Sequence, residues 1–320
     1  MATDELSKIL VFGGTGYIGK HIVRACIKMG HPTYVYARPI TPDSIPSKVQ
    51  LREELQSTGV TIIQGELSEQ EKLISIIKQV DIIISTLGAH LLMEQFRIID
   101  AIKAAGNGIK RFVPSEFGVD DERTESVLPP FQAYLDKRKK VRTATQEAGI
   151  PFTCLSSSCF GEYFLGLLFH PHDPSPDLTI FGSGQAKVVL TREEDIATYT
   201  IKVANDPRTL NRAIYCRPPG NVTSQLDLIS LWEKKTGRSY NKVHVSEEDI
   251  VNVSLTSAHP QSAQASILHS IFVKGDMAGF ELREDDMEVS QLYPDFECST
   301  VDKLIDSFLA NVPVFESAAL

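Results

Sequence analysis

Three closely spaced glycines near the start of the chain form a pattern that can hold a phosphate group. Gly13, Gly14 and Gly16 follow the apolar run 9–12, and Gly19 lies at the start of an amphipathic helical pattern. Such glycines allow a tight turn and a close approach of backbone N–H groups to a pyrophosphate, which then faces the N-terminus of the helix. The strand, turn and helix together predict a dinucleotide-binding site. The alternative is a glycine-rich turn that binds no ligand.

A second candidate binding residue ends the next predicted strand, Thr33–Arg38. At this position a dinucleotide-binding fold carries an acid for a free 2′-hydroxyl of the adenosine ribose, or an arginine for a 2′-phosphate. This chain has Arg38 there. Prolines 39, 42 and 46 predict a loop rather than an immediate helix, and this loop could return Lys48 toward the same phosphate. Arg38 and Lys48 therefore favour NADPH over NADH, unless Arg38 is only a loop charge.

The elements that must position these residues alternate between strand and helix. The apolar runs 61–67 and 81–86 predict strands buried on both faces. The helical pattern between them begins with Ser68 as a cap and has Glu71 three residues later. Because strands that alternate with helices form a parallel sheet, the expected fold class is α/β, a Rossmann-type doubly wound parallel sheet.

Small and polar residues follow the later strands of this sheet, which are predicted within 111–118 and 150–157. Ligands of open α/β sheets bind outside the carboxyl ends of the strands. Segment 86–89 is small enough to pass beneath a cofactor, and Ser115, Glu116 and 156–159 are placed to line its nicotinamide end. The same polar residues could instead cap the strands.

The composition restricts the classes of protein and partner. The 320 residues carry a net charge of −9, and the one dense basic run, 137–142, has a helical pattern typical of a solvated face, so we expect a small-molecule partner and no nucleic acid. No apolar run reaches membrane-spanning length, and the N-terminus is acidic rather than signal-like. Five scattered cysteines and the pair His170 and His172 lack metal-site spacing, so we expect no metal and a cytoplasmic protein with reduced thiols.

The hydrophobic periodicity becomes less regular after Phe160. We therefore expect an NADPH-binding Rossmann domain over 1–157 and a smaller α/β substrate lobe over 158–320, with some later segments returning to the first domain.

Several motifs are similar to those of a known family, the plant isoflavone-reductase-like enzymes, an atypical branch of the short-chain dehydrogenases. They are the glycine turn, His31–Tyr34, Arg38–Pro39, Arg111–Gly118, Asp206–Asn211, Trp232–Lys235 and Leu292–Pro294. The resemblance implies an NADPH-dependent reductase of phenylpropanoids that is a monomer or a homodimer. By position it also implies cofactor contacts at Thr15, Gly16, Tyr17, Ile18, Arg38, Ser85, Thr86, Leu87, Ser115, Glu116, Phe117, Ser158, Cys159 and Phe160.

Within the family, the chain most resembles the phenylpropene synthases, which make eugenol or isoeugenol. Segments 128–133 and 177–187 look like theirs, and Val119 replaces the proton-handling histidine of leucoanthocyanidin reductases. The resemblance implies reduction of an ester such as coniferyl acetate through a quinone methide. The alternatives are a phenylcoumaran benzylic ether, pinoresinol–lariciresinol or isoflavone reductase, and a non-catalytic NADPH-sensing regulator.

The chain departs from the family at its catalytic lysine. In the family, this lysine lies eight residues after the second proline of a Pro-Pro-Phe segment and four residues before a helix arginine. Counting from Pro130 and from Arg142 in this chain leads to Arg138 both times. Lys137 and Lys139 each lie about 100° away from it around a helix. Arginine stays protonated, so it can stabilise a phenolate but cannot accept its proton. Tyr134 lies four residues earlier on the same helix face and is either a proton relay or a packed core residue. Arg138, Lys137 and Tyr134 are the candidate catalytic residues.

Overall fold

The computed structural model describes residues 6–106, 108–124, 127–173 and 175–313. Its strands are, in chain order, β1 Ile9–Phe12, β2 Thr33–Ala37, β3 Thr61–Gln64, β4 Ile82–Ser85, β5 Arg111–Val113, β6 Thr153–Ser156, β7 Cys159–Phe160, β8 Asp177–Phe181, β9 Lys187–Thr191, β10 Arg212–Tyr215, β11 Val222–Ser224, β12 Asn241–Val245 and β13 Met287–Glu288. Its α-helices are α1 Tyr17–Lys28, α2 Pro46–Ser57, α3 Gln70–Ile77, α4 Gln95–Ala104, α5 Pro129–Glu147, α6 Gly161–Phe169, α7 Glu193–Asn205, α8 Gln225–Thr236, α9 Glu247–Thr256, α10 Gln261–Leu268, α11 Val289–Leu292 and α12 Val301–Ala310. A π-helical segment, His269–Lys274, follows α10.

The first five strands form one parallel sheet in the order β3-β2-β1-β4-β5. The central strand β1 is buried along its whole length, with Val11 paired with Val35 on one side and with Ile84 on the other. The strand order reverses at β1, so its carboxyl end lies at the point where doubly wound sheets bind ligands. The predicted α/β Rossmann-type fold is confirmed.

The sixth predicted strand joins this sheet only at its beginning. Phe112 and Phe152 form a single parallel bridge, and the amide of Phe112 donates to the carbonyl of Pro151 at 2.7 Å. The strand β6 that follows belongs instead to a three-stranded sheet in the order β13-β10-β6.

Two local expectations are wrong. Strand β3 is half-exposed rather than buried on both faces, because it is the edge strand of the sheet. Helix α3 starts one residue late, with Glu69 rather than Ser68 at the N-cap position. The carboxylate of Glu69 accepts the amide of Glu66 and pairs with Lys72, which holds a separate turn before the helix.

The chain divides into two compact units with interleaved segments. The first unit comprises Met1–Ser115, Lys137–Cys154 and Ala197–Ala213, and the second comprises Glu116–Asp136, Leu155–Ile196 and Ile214–Leu320. One boundary after residue 157, as expected from the sequence, therefore does not describe these units, although segments do return to the first one.

Buried polar side chains join the later segments to their units. In the first unit, the guanidinium of Arg111 donates to the hydroxyl of Thr209 at 2.9 Å and to the carbonyl of Asp206 at 3.0 Å. In the second unit, the phenol of Tyr215 donates to the carboxylate of Asp120 at 2.6 Å. Such contacts hold residues that are distant in the sequence, which periodicity alone does not reveal.

Each unit has a hydrophobic core of its own. In the first unit, Leu10, Ile83 and Phe112 from the sheet pack with residues of the surrounding helices. In the second unit, Trp232 stacks on Phe169 with ring centroids 4.2 Å apart. Burial of this apolar surface is the main stabilising contribution to each unit.

Among the described residues, no helix is both long enough and apolar enough to cross a membrane.

Candidate nucleotide-binding and catalytic sites

The glycine turn lies where β1 ends and α1 begins. Gly13 has a φ of +76°, a backbone conformation that favours glycine, and its carbonyl accepts the amide of Gly16 at 2.8 Å. Gly16 is the N-cap residue of α1, and within the described chain no side chain caps this end and no acidic residue occupies its first turn. The backbone N–H groups at the N-terminus of this twelve-residue helix can therefore bind an anion.

The glycines of this turn differ in what a side chain would meet. A Cβ on Gly19 would overlap the carbonyl oxygen of Gly13, so Gly19 is what lets α1 pack against the turn. A Cβ on Gly16 would meet only the oxygen of Gly13, at 3.0 Å, and otherwise has open space within 4 Å. The space before the helix is therefore open while the turn behind it is packed, as a phosphate-binding turn requires. These residues fit the diphosphate of a dinucleotide.

The remaining predicted residues of this segment have different surroundings. Thr15 and Tyr17 are half-buried, and Lys20 places its ammonium 5.5 Å from the centre of the Tyr17 ring. The Ile18 side chain is buried in the core, so only its backbone could meet a ligand.

The carboxyl end of β4 supports the same turn. Thr86 donates its hydroxyl to the carbonyl of Phe12 at 2.8 Å, and a Cβ on Gly13 would collide with Thr86. The Ser85 hydroxyl is buried and finds no hydrogen-bond partner in the described part of the chain. Leu87 is buried, and its carbonyl accepts the hydroxyl of Ser115 at 2.9 Å. Ser115 therefore ties the ends of β4 and β5 together, which is the strand-capping role left open by the sequence.

Gln95 is a residue of this region that sequence reasoning missed. Its side chain is buried at the start of α4, where it accepts the amide of Ser115 at 2.8 Å and donates to the carbonyl of Leu92 at 3.2 Å. A buried glutamine holding a predicted site residue is a positioning group. No sequence signal marks it, because polar residues are common at the start of a helix and its partner Ser115 is 20 residues away.

The region after β2 gathers three cations. Arg38 and Lys48 are exposed, and Arg52 donates from Nη2 to the carbonyl oxygen of Arg38 at 2.5 Å. The expected loop ends earlier than predicted, because α2 begins at Pro46 and Lys48 lies in its first turn. Proline is favoured at the first position of a helix, where its missing N–H costs no hydrogen bond. Lys48 and Arg52 are consequently one helical turn apart on the same face.

The other predicted cofactor residues belong to the second unit. Glu116 is buried and Phe117 half-buried, while Ser158 has a φ of +67° and donates its hydroxyl to that of Thr191 at 3.0 Å. A left-handed backbone at a serine is uncommon and costs energy, so the surrounding structure must hold Ser158 in this conformation.

Strand β7 carries the last two predicted cofactor residues. Cys159 is buried with its sulfur 3.1 Å from that of Met277, and burial raises the pKa of its thiol. Phe160 is half-buried at the end of the strand. Only backbone atoms of Cys159 are therefore available to a ligand.

Helix α5 distinguishes the three adjacent basic residues by burial. Arg138 is 1% exposed and is among the largest fully buried side chains of the described residues, whereas Lys137 and Lys139 are exposed. The buried positions Leu135, Arg138 and Val141 recur at helical spacing. Arg138 thus occupies the inward face that the sequence offsets assigned to the family lysine.

Tyr134 is half-buried on the portion of α5 that belongs to the second unit. Its ring stacks on Phe131 with centroids 6.1 Å apart, and it packs against the hydrophobic core of that unit. This packing favours the structural role for Tyr134, and the proton relay stays a prediction.

The fold and the glycine turn together define a Rossmann-type nucleotide-binding protein. The model of the NmrA-like family matches residues 5–305. The chain belongs to the NmrA-like family.

Known proteins of this kind match the chain along nearly its whole length. Isoeugenol synthase 1 of Clarkia breweri is 53% identical over 96% of both chains. Phenylcoumaran benzylic ether reductase IRL1 of Ginkgo biloba is 44% identical over 95% of this chain and 99% of that protein. A solved structure of AtPrR2 with NADP+ and (+)-pinoresinol is 37% identical, with a TM-score of 0.87, over 95% of this chain and 99% of that one. The resemblance seen in the sequence is thereby confirmed.

Proposed function

We propose that this protein is an NADPH-dependent reductase of phenylpropanoids, and specifically a phenylpropene synthase that reduces coniferyl acetate or a similar ester. The observation that carries the proposal is the 53% identity to an isoeugenol synthase over 96% of both chains. The solved relative with NADP+ supports the choice of cofactor, and Arg38 supplies a cation at the position where a 2′-phosphate is read.

The residues of the first unit would hold the cofactor by its phosphates. The amide end of α1 would bind the diphosphate, and Arg38 with Lys48 would bind the 2′-phosphate. Bound NADPH supplies a hydride to the side chain of the substrate.

Arg138 would act on the phenol of the substrate. The ionised phenol expels the ester group as a carboxylate and leaves a quinone methide, which needs one hydride to become the phenolate of the product. A fixed guanidinium beside the phenolate favours this ionisation, because charge stabilisation is strong at a buried position. Arg138 cannot take the proton itself, since arginine stays protonated, so the proton leaves to solvent or through another group.

The runner-up function is the reduction of a benzylic ether, in which an internal phenoxide leaves instead of a carboxylate. The 44% identity to a phenylcoumaran benzylic ether reductase favours it. The same cation and the same hydride would serve both reactions, so substrate preference separates them.

Product identification tests the proposal. We expect the purified protein to oxidise NADPH with coniferyl acetate and to form isoeugenol or eugenol, identified by gas chromatography and mass spectrometry. A phenylcoumaran is the matched second substrate. Turnover of the phenylcoumaran alone would support the runner-up, and NADPH binding without oxidation in either reaction would indicate a regulator.

A further inference from the structure

Arg52 of α2 has one guanidinium amine with a hydrogen-bond partner and one without. Its Nη2 donates to the backbone carbonyl of Arg38, while its Nη1 is buried and has no hydrogen-bond partner among the residues that the structure describes. The Arg24 guanidinium, by contrast, pairs with the Glu54 carboxylate at 2.6 Å. Arg52 therefore holds an N–H group out of water without a protein acceptor.

The surroundings of Arg52 are positive. Burial of its guanidinium and the neighbouring charge of Arg38 both lower the pKa of Arg52. Lys48 lies one turn away on the same face of α2. Within the described ranges, no carboxylate forms an ion pair with Arg38, Lys48 or Arg52. Neighbouring cations repel one another, so an anion bound between them would remove this repulsion.

We infer that Arg52 is a third residue that binds the 2′-phosphate of the cofactor, together with Arg38 and Lys48. This inference rests on the proposed function and extends it to a residue that no sequence motif marks. One amine group of Arg52 already holds the Arg38 carbonyl, so its guanidinium is kept beside Arg38. A rotation of the guanidinium would turn its second amine, which is buried in this structure, toward a phosphate bound at Arg38. A phosphate monoester accepts several charge-assisted hydrogen bonds, so a third donor adds to the first two.

The simplest rival is that Arg52 only holds the backbone of Arg38 in position. A cycle of single and double variants separates the two roles. We would measure the binding of 2′,5′-ADP and 5′-AMP by calorimetry, because these ligands differ only in the 2′-phosphate, for the wild type, Arg52→Gln, Arg38→Ala and the double variant. Arg24→Gln is the matched control, since it removes the same charge from a paired arginine of the same unit.

We expect Arg52→Gln to weaken the binding of 2′,5′-ADP about tenfold, both in the wild-type background and in the Arg38→Ala background. Arg24→Gln should change this affinity by less than about twofold. The binding of 5′-AMP and the thermal unfolding midpoint should be unchanged. No further loss in the Arg38→Ala background would overturn direct contact. Equal affinity of the wild type for inorganic phosphate and 2′,5′-ADP would also overturn the inference, because the cations would then bind any phosphate. If the wild type binds 2′,5′-ADP no more tightly than 5′-AMP, the failure lies instead in the proposed function, because the protein would then have no preference for NADPH.

Discussion

The glycine turn at 13–19 offers a ligand backbone groups, whereas the inward face of α5 offers a single side chain. At the turn, Gly13 and Gly19 have no room for a Cβ, and the helix that follows has no side-chain cap within the described chain. On α5, Arg138 is buried beside two exposed lysines that carry the same charge. A site made of backbone is fixed by local sterics, and a site made of one side chain is fixed by which face of a helix is buried.

This difference determines which substitutions we expect each region to tolerate. The turn needs glycine for geometric reasons, so its residue types are restricted whatever the substrate is. Under the proposed function, the helix face needs a positive charge at one place, and lysine or arginine can supply it with different proton chemistry. The proposed catalytic position, Arg138, is thus the place where the chain departs from the lysine that the family resemblance implies.

The largest expected effect is at the turn. We expect Gly16→Val to fold but to weaken the binding of NADP+ by more than about 10³-fold. The valine side chain would occupy the open space before α1 and block the access of the diphosphate to several backbone N–H groups. Calorimetric titration with NADP+ measures this loss. Gly108→Ala is the matched control, since a Cβ there meets nothing within 4 Å. Retained binding by a folded Gly16→Val would show that the turn does not hold the phosphates.

The next effect is on the helix face. We expect Arg138→Met to lower kcat about 10²-fold, the usual result of removing one electrostatic stabiliser, and Arg138→Lys to keep or raise it by restoring a group that can accept a proton. Steady-state rates with coniferyl acetate, with folding checked by thermal unfolding, measure both effects.

Lys137→Met and Lys139→Met are the controls for Arg138. Both lysines are exposed, so we expect each variant to keep turnover within about twofold of the wild type. If Arg138→Met keeps full turnover and one of the lysine variants loses it, the catalytic cation is that lysine and not Arg138. Burial on α5 would then not identify the catalytic residue.

Much of the first unit could be predicted from the sequence, because its strands are short apolar runs separated by helical patterns. The strands β1, β2 and β4 and the helix α1 lie where these patterns indicated. The exposure of β3 could not be predicted in this way, because an apolar run does not show whether its strand is at an edge of the sheet. Pro46 was interpreted as a loop residue although proline also begins helices, and this changed the expected place of Lys48.

The candidate site was predicted where the backbone defines it and less completely where side chains do. Gln95 and Arg52 were missed because the feature that marks each is a hydrogen bond to a residue elsewhere in the chain, Ser115 for Gln95 and Arg38 for Arg52. Periodicity reports which face of an element is buried, but it does not report such partners. The same limit applies to Cys159, which was predicted as a cofactor contact and whose side chain is buried against Met277.

A smaller effect concerns the choice between the two nicotinamide cofactors. We expect Arg38→Ala to weaken NADPH about tenfold or more and to leave NADH nearly unchanged, because only NADPH carries the 2′-phosphate. Dissociation constants from fluorescence titration with each cofactor measure this difference. An equal loss of affinity for both cofactors would mean that Arg38 supports the fold of this region and does not bind the 2′-phosphate.

The smallest expected effect tests whether stability and cofactor binding can be separated within the first unit. Asp81 precedes β4, at the end of the sheet opposite to the glycine turn. Burial disfavours its charged form, but hydrogen bonds from the amide of Lys8 and the ammonium of Lys110 outweigh this and hold the pKa of Asp81 below its usual value of 3.8.

A carboxyl group whose pKa is lowered by folding stabilises the folded state at pH values above its usual pKa. This contribution is lost as the pH falls through the folded-state pKa. We therefore expect Asp81→Asn to reduce the free energy of unfolding at neutral pH by about 0.5–1 kcal/mol, without changing the affinity for NADP+. In urea titrations the difference between wild type and variant should shrink as the pH is lowered below about 4. A constant difference down to acid pH would assign the effect to lost packing, and a weaker NADP+ affinity would show that the two ends of the sheet are coupled.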